Sequence, residues 1–79
     1  MKEPRAFVEA VGKAIRELRE ERDLSQMALW RRCNTHFNYI GGIERGEREP
    51  SVRAIADIAN GLDVEVIEVF ARADRLLDG

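Results

Sequence analysis

The sequence predicts an all-α domain built from five short helices. Three observations carry that expectation: apolar residues recur at three- and four-residue steps, serine and glycine stand where helix ends should fall, and no stretch alternates apolar and polar residues as a strand would. No internal repeat or low-complexity linker interrupts residues 1–79, so the helices are expected to form one compact bundle.

Phe7, Val8, Val11, Ile15 and Leu18 form one stripe, opposed by Glu9, Lys13, Arg16, Glu17 and Glu20, which places helix one over about residues 5–21. Ser25, an N-cap residue type following Leu24, opens a short second helix running through Cys33, with Leu29 and Cys33 four apart on its inner face. Asn34 is expected to close it in the left-handed conformation, which asparagine tolerates better than other non-glycine residues. Helix three begins at Thr35 or His36, buries Ile40 and Ile43, and stops at Gly46. After a loop over 47–50, Ser51 caps a fourth helix with Val52, Ile55, Ala59 and Leu62 at helical spacing, ending near Asp63. A fifth helix over about 65–77 carries Val66, Val69, Phe70, Ala73 and Leu76 on one side, with Ile67 and Leu77 off that stripe.

With 79 residues and 44% apolar content, the chain suits a single domain that buries about 60% of its unfolded surface. So small a core leaves little spare stability, and a second copy would add burial, so a homodimer is expected. No run approaches the ~18 apolar residues of a membrane span, and Met-Lys-Glu-Pro-Arg lacks the apolar run of a signal peptide. A cytoplasmic protein with no membrane partner is the expectation. The single cysteine, Cys33, cannot form an internal disulfide and agrees with a reducing compartment.

Thirteen basic against fifteen acidic residues is unlike a general polyanion binder, but the charge is unevenly distributed. Residues 24–48 hold Arg31, Arg32, Arg45 and Arg48 against Glu44 and Glu47, a local excess of two positive charges, while the remainder is net negative. A positive face on an acidic body can meet phosphates there and repel them elsewhere. Cys33 and His36 are the sole soft metal-ligand types, too few for a zinc site that needs three or four, and no acyl-transfer set surrounds them. Neither a phosphate-cradling glycine loop nor a pair of catalytic carboxylates can be assembled, so no enzyme, metal or cofactor is expected.

The run Leu24-Ser25-Gln26, Leu29, Ile40-Gly41-Gly42-Ile43-Glu44-Arg45-Gly46 and Pro50-Ser51 resembles the Cro/repressor (XRE) family of helix-turn-helix regulators. The likeness extends through Val52, Ile55, Leu62, Val64 and Phe70, about four of the five helices. It implies a lambda-repressor-like bundle whose helices two and three, within residues 25–46, form the helix-turn-helix. Among relatives, the size is most like restriction-modification controller proteins, small phage repressors and short antitoxins. The resemblance implies a homodimeric transcriptional regulator of double-stranded DNA, with helix three in the major groove of a palindromic operator. A second reading is an antitoxin or adaptor that binds a protein partner, with DNA secondary.

By the same resemblance, Gln26 braces a phosphate or a base-reading side chain, and His36, Phe37 and Asn38 occupy the first turn of the recognition helix. Asn38 is the first candidate for direct readout, since a carboxamide pairs bidentately with adenine. Phe37 either presses on a thymine methyl or sugar or serves core or dimer packing. Gly41 and Gly42 cost about 0.5–1 kcal/mol each inside a helix, which points either to close approach to DNA or to a weak helix ordered by binding. Ser25, Arg31, Tyr39, Arg45 and Arg48 are the expected backbone contacts, Arg19 and Glu44 a structural ion pair, and Ile67, Phe70 and Leu77 the expected dimer surface.

Three positions depart from the family pattern. Trp30 stands where alanine is favoured, Asn34 where glycine is usual and Thr35 where an apolar residue is usual. Either helices two and three are splayed or repacked around the indole, or the indole slides outward and offers a partner an amphipathic surface.

Overall fold

The computed structural model describes residues 3–78, the side chain of Phe37 excepted. They form five helices and no strand: α1 (Pro4–Glu21), α2 (Gln26–Arg31), α3 (Phe37–Glu44), α4 (Val52–Leu62) and α5 (Val66–Asp78).

The ends follow local chemistry. The Glu3 carboxylate caps α1 by accepting from the amides of Arg5 and Ala6 at 2.8 and 2.9 Å, and those bonds hold its carboxyl below the ordinary carboxylate value. Pro4 at the first helical position lacks an amide that would have had no partner there. Ser25 Oγ and Ser51 Oγ accept from Ala28 and Ala54 at 3.0 Å, capping α2 and α4. Gly46 adopts φ of +76°, the left-handed conformation that ends α3.

Two boundaries differ from those expected. Helix α2 stops at Arg31, so Cys33 lies in the turn, and Asn34 is not left-handed. The non-glycine residues that take positive φ are Asp23 and Asp63, at 55° and 60°, each directly after a long helix. A short aspartate side chain tolerates that conformation, as asparagine does. The turn over 32–36 instead leaves α2 through Arg32 in ordinary right-handed geometry. Helix α3 begins one residue after His36, which serves as its extended N-cap residue.

The core is one cluster drawn from all five helices, with Ile15, Leu29, Ile40, Ile43, Ile58, Leu62 and Val69 fully buried. Its longest seam joins α1 to α5. There Phe7 and Phe70 stack at 6.0 Å between ring centres, and Arg72 bridges to Glu17 at 3.0 Å and to both oxygens of Glu21 at 2.6 and 3.0 Å. A second seam, between α1 and α3, is set by Gly12: a Cβ built there would overlap the Ile43 carbonyl oxygen. Glycine costs stability inside a helix, and here it lets two backbones meet.

Gly12→Ala should therefore push α3 away from α1 and lower stability by about 1–3 kcal/mol in chemical denaturation, where an exposed helical Gly→Ala change would raise it. Arg72 supplies a second test. Its guanidinium holds the Glu21 carboxyl below the ordinary 4.5, so the unfolded chain takes up that proton first as pH falls. The pair's stabilisation is present above that ordinary value and is lost as pH drops through the lowered one. Melting temperature followed between about pH 3 and 5 should fall less steeply in Arg72→Gln than in the parent chain.

Candidate nucleic-acid interface

Helix α3 is seated on a buried polar knot. Arg19 Nε and Nη2 donate to the two oxygens of Glu44 at 2.8 and 3.0 Å, with side-chain exposures of 11% and 3%. The third arm of the guanidinium, Nη1, donates to the Leu24 carbonyl at 2.7 Å, and Gln26 Nε2 adds a 3.0 Å bond to Glu44 Oε1. One carboxylate at the end of α3 thereby ties together α1, the loop after it and the first residue of α2. The Glu44 hydrogen bonds push the Arg19 guanidinium further toward its charged form against the opposing effect of burial.

Beside this knot, Leu29 of α2 and Ile40 and Ile43 of α3 are fully buried in one apolar cluster shared by the two helices. Helix α4 approaches α2 closely at Gly61, where a Cβ would lie 2.8 Å from Cys33 Sγ and 3.1 Å from Leu29 Cδ1. Cys33 is half-buried, and burial pushes its thiol up, Asp57 adding to the effect. Trp30 is half-buried against the core, and its indole Nε1 donates to the Thr35 carbonyl at 2.9 Å. The indole is accommodated by local repacking across the turn rather than by swinging away from the body.

The outward side of α3 is open. His36 and Asn38 are exposed, and with half-buried Thr35 and Tyr39 and exposed Arg48 they line one concavity. The Tyr39 hydroxyl donates to the Glu49 carbonyl at 3.4 Å and accepts from the Ser51 amide at 3.3 Å, fastening the loop that carries Arg48. Arg31 and Arg45 are also exposed, Arg45 pairing with Glu47 at 3.1 Å. Exposed ion pairs of this kind exchange readily for other anions, since they contribute about 0–1 kcal/mol.

Other expected site residues are engaged within the fold. Gln26 is half-buried and engaged with Glu44, and Ser25 is occupied as the cap of α2. Gly41 and Gly42 are buried on α3: a Cβ on Gly41 would lie 3.0 Å from Arg45 Nη1 and 3.3 Å from Gln26 Oε1, and one on Gly42 only 2.6 Å from Arg48 Cγ. Their missing side chains make room for the Arg45 guanidinium and Gln26 carboxamide at Gly41 and for the Arg48 stem at Gly42. The side chain of Phe37 lies outside the described residues. Of the expected dimer residues, Ile67 is 69% exposed, whereas Phe70 stacks on Phe7 and Leu77 is half-buried against the core. Val52, 81% exposed, was not among them.

Sequence reasoning passed over Gly12, Gly61 and the Trp30–Thr35 bond. A glycine inside an otherwise amphipathic helix is itself a signal of close approach, and both glycines carried it. Among the described residues, no group of three metal-ligating side chains converges, and no helix is long and apolar enough to cross a membrane.

Residues 15–69 match a family model described as helix-turn-helix. The chain is 34% identical over 56 residues to the immunity repressor protein of Bacillus phage phi105, covering 71% of this chain and 39% of that protein. It is 31% identical over 65 residues to an HTH-type transcriptional regulator of Sinorhizobium fredii, covering 82% and 84% of the two chains. The chain thus spans between 30% and 39% of the length of its first two curated relatives, and most of the third. In structure it is similar to the restriction-modification controller protein C.AhdI from Aeromonas hydrophila, with a TM-score of 0.75, 37% identity, and coverage of 78% of this chain and 94% of the other.

The polar knot yields a test by double-mutant cycle. Glu44→Ala leaves the Arg19 charge buried without its partner and should cost about 3–5 kcal/mol, whereas adding Arg19→Met to the same chain should recover a substantial part of that loss in urea denaturation.

Proposed function

The chain belongs to the helix-turn-helix family, and from that premise we propose that it is a transcriptional regulator binding double-stranded operator DNA as a homodimer, with α3 in the major groove. The observation that carries this reading is the open concavity along α3, lined by Thr35, His36, Asn38, Tyr39 and Arg48, on a helix whose opposite side is locked into the core. Only a helix presented in this way can push side chains to base edges while its backbone stays fixed.

Roles follow from exposure. Asn38 reads a base with exposed His36 beside it, Phe37 is assigned to the same turn by the family resemblance alone, and each good bidentate contact is worth about 1–3 kcal/mol of discrimination. Arg31, Arg45 and Arg48 meet phosphates, Arg45 exchanging Glu47 for a phosphate oxygen, and Ser25 and Tyr39 border the same backbone path. Gln26 braces the site through Glu44, and Gly41 and Gly42 allow Arg45 and Arg48 to lie close along α3. Two copies meeting around Ile67 at the α5 end, with Phe70 and Leu77 behind it, would present two α3 helices to half-sites about one helical turn, ~34 Å, apart. The immunity repressor and the transcriptional regulator among the relatives support regulation of transcription as the outcome. The adaptor reading rests on Trp30 and the acidic body; the indole is half-buried and hydrogen-bonded to Thr35, which leaves the acidic body as its ground.

Selection of bound duplexes from a random pool should return a two-fold symmetric site whose affinity falls steeply with salt. Asn38→Ala should then relax preference at one position of each half-site, by about 5- to 100-fold against the next best base, whereas Arg48→Ala should weaken all duplexes alike and make the salt dependence shallower. A pool with no enrichment would refute the reading.

A further inference from the structure

Three helices begin on a side-chain cap, Glu3 for α1, Ser25 for α2 and Ser51 for α4, but α3 begins at His36 with none. The turn that delivers α3 opens with Arg32 N–H to the Leu29 carbonyl and Cys33 N–H to the Trp30 carbonyl, bonds that finish α2 rather than start α3. What reaches forward across the turn is the indole. Its Nε1 donates at 2.9 Å to the carbonyl of Thr35, the residue immediately before the N-cap of α3, while its ring rests against the buried core. A rigid two-torsion side chain packed on the core thus holds the residue that leads into the N-cap of α3, an end that no side-chain cap fixes.

We infer that Trp30 is a positioning residue for base reading: through Thr35 it sets the angle at which His36 and Asn38 meet the groove. This rests on the proposed reading of DNA by α3. Recognition groups must be held within about 0.5 Å and 10–20° of their productive geometry by residues that are themselves locked by packing and hydrogen bonds. Ile40 and Ile43 seat the middle and end of α3, and Glu44 pins its last residue; at the end that carries Asn38, the Tyr39 hydroxyl ties α3 to Glu49 and Ser51, and the Trp30 bond fixes the residue before the N-cap.

Trp30→Phe keeps an aromatic ring and removes the donor; benzothienylalanine at position 30, isosteric with tryptophan, removes the donor while preserving shape. Each is compared with the parent chain on the duplex selected by the parent and on a scrambled duplex of equal length, with melting temperature measured in parallel. The expected result is a drop of about tenfold on the selected duplex, little change on the scrambled one, and a flattened preference at the Asn38 position when the isostere undergoes its own selection. An unchanged ratio between the duplexes, or affinity for both falling in proportion with melting temperature, overturns the inference and leaves Trp30 as a structural filler. Failure of the isostere to fold overturns it likewise. If the parent chain itself enriches nothing, DNA reading by α3 fails, and this inference falls with it; a parent that selects and an isostere that selects identically refute the role of Trp30 alone.

Discussion

The constraint on which the rest of the structure depends is the buried pairing of Arg19 with Glu44. Removing two charges from water costs several kcal/mol per ion, and that cost is offset only when the geometry is right and the remaining donors and acceptors are used. Here both carboxylate oxygens receive guanidinium donors, the spare arginine N–H group goes to Leu24, and Gln26 adds a further bond. No buried side-chain nitrogen or oxygen among the described residues is left without a partner. Apolar contacts tolerate sliding by an ångström, but directional bonds between charged groups do not. The knot therefore selects one placement of α3 relative to α1 and α2.

Close approach does the complementary work. Gly12 lets the backbone of α3 press on α1, and Gly61 lets α4 press on Leu29 and Cys33. At the far side, Arg72 clamps α5 to α1 through Glu17 and Glu21. Those two acidic residues belong to the negative remainder of the chain, outside residues 24–48. A locally positive stretch on an acidic chain can approach phosphates there and repel them elsewhere. The same economy applies to Tyr39, whose hydroxyl links α3 to the loop before α4 and so places Arg48 beside Asn38.

Much of this was legible in the sequence. Five helices, their serine caps and the Gly46 stop follow from periodicity and from hydrogen-bonding groups acting on their nearest neighbours, which are local effects that a linear string records. So does the unequal charge of residues 24–48. Asn34 shows the limit of that locality: its type permits a left-handed turn, but the turn over 32–36 is shaped by the Trp30 indole and by the contact of Cys33 with Gly61, neither of which propensity contains.

What the tertiary structure decided is which side of each residue faces the protein. Gly41 and Gly42 are compatible in sequence with an approach to DNA, yet both lie under side chains of Gln26, Arg45 and Arg48. Phe70 suits an exposed stripe until Phe7, 63 positions earlier in the chain, stacks against it. Trp30 fits either an outward or an inward ring until the Thr35 carbonyl comes within 2.9 Å. The sequence by itself determined the helices and the sign of their charge, because those depend on residues a few positions apart. The orientation of α3 depends on Arg19, Gly12 and Trp30 converging from distant or turn-separated positions, and only the packed chain brings them within bonding distance.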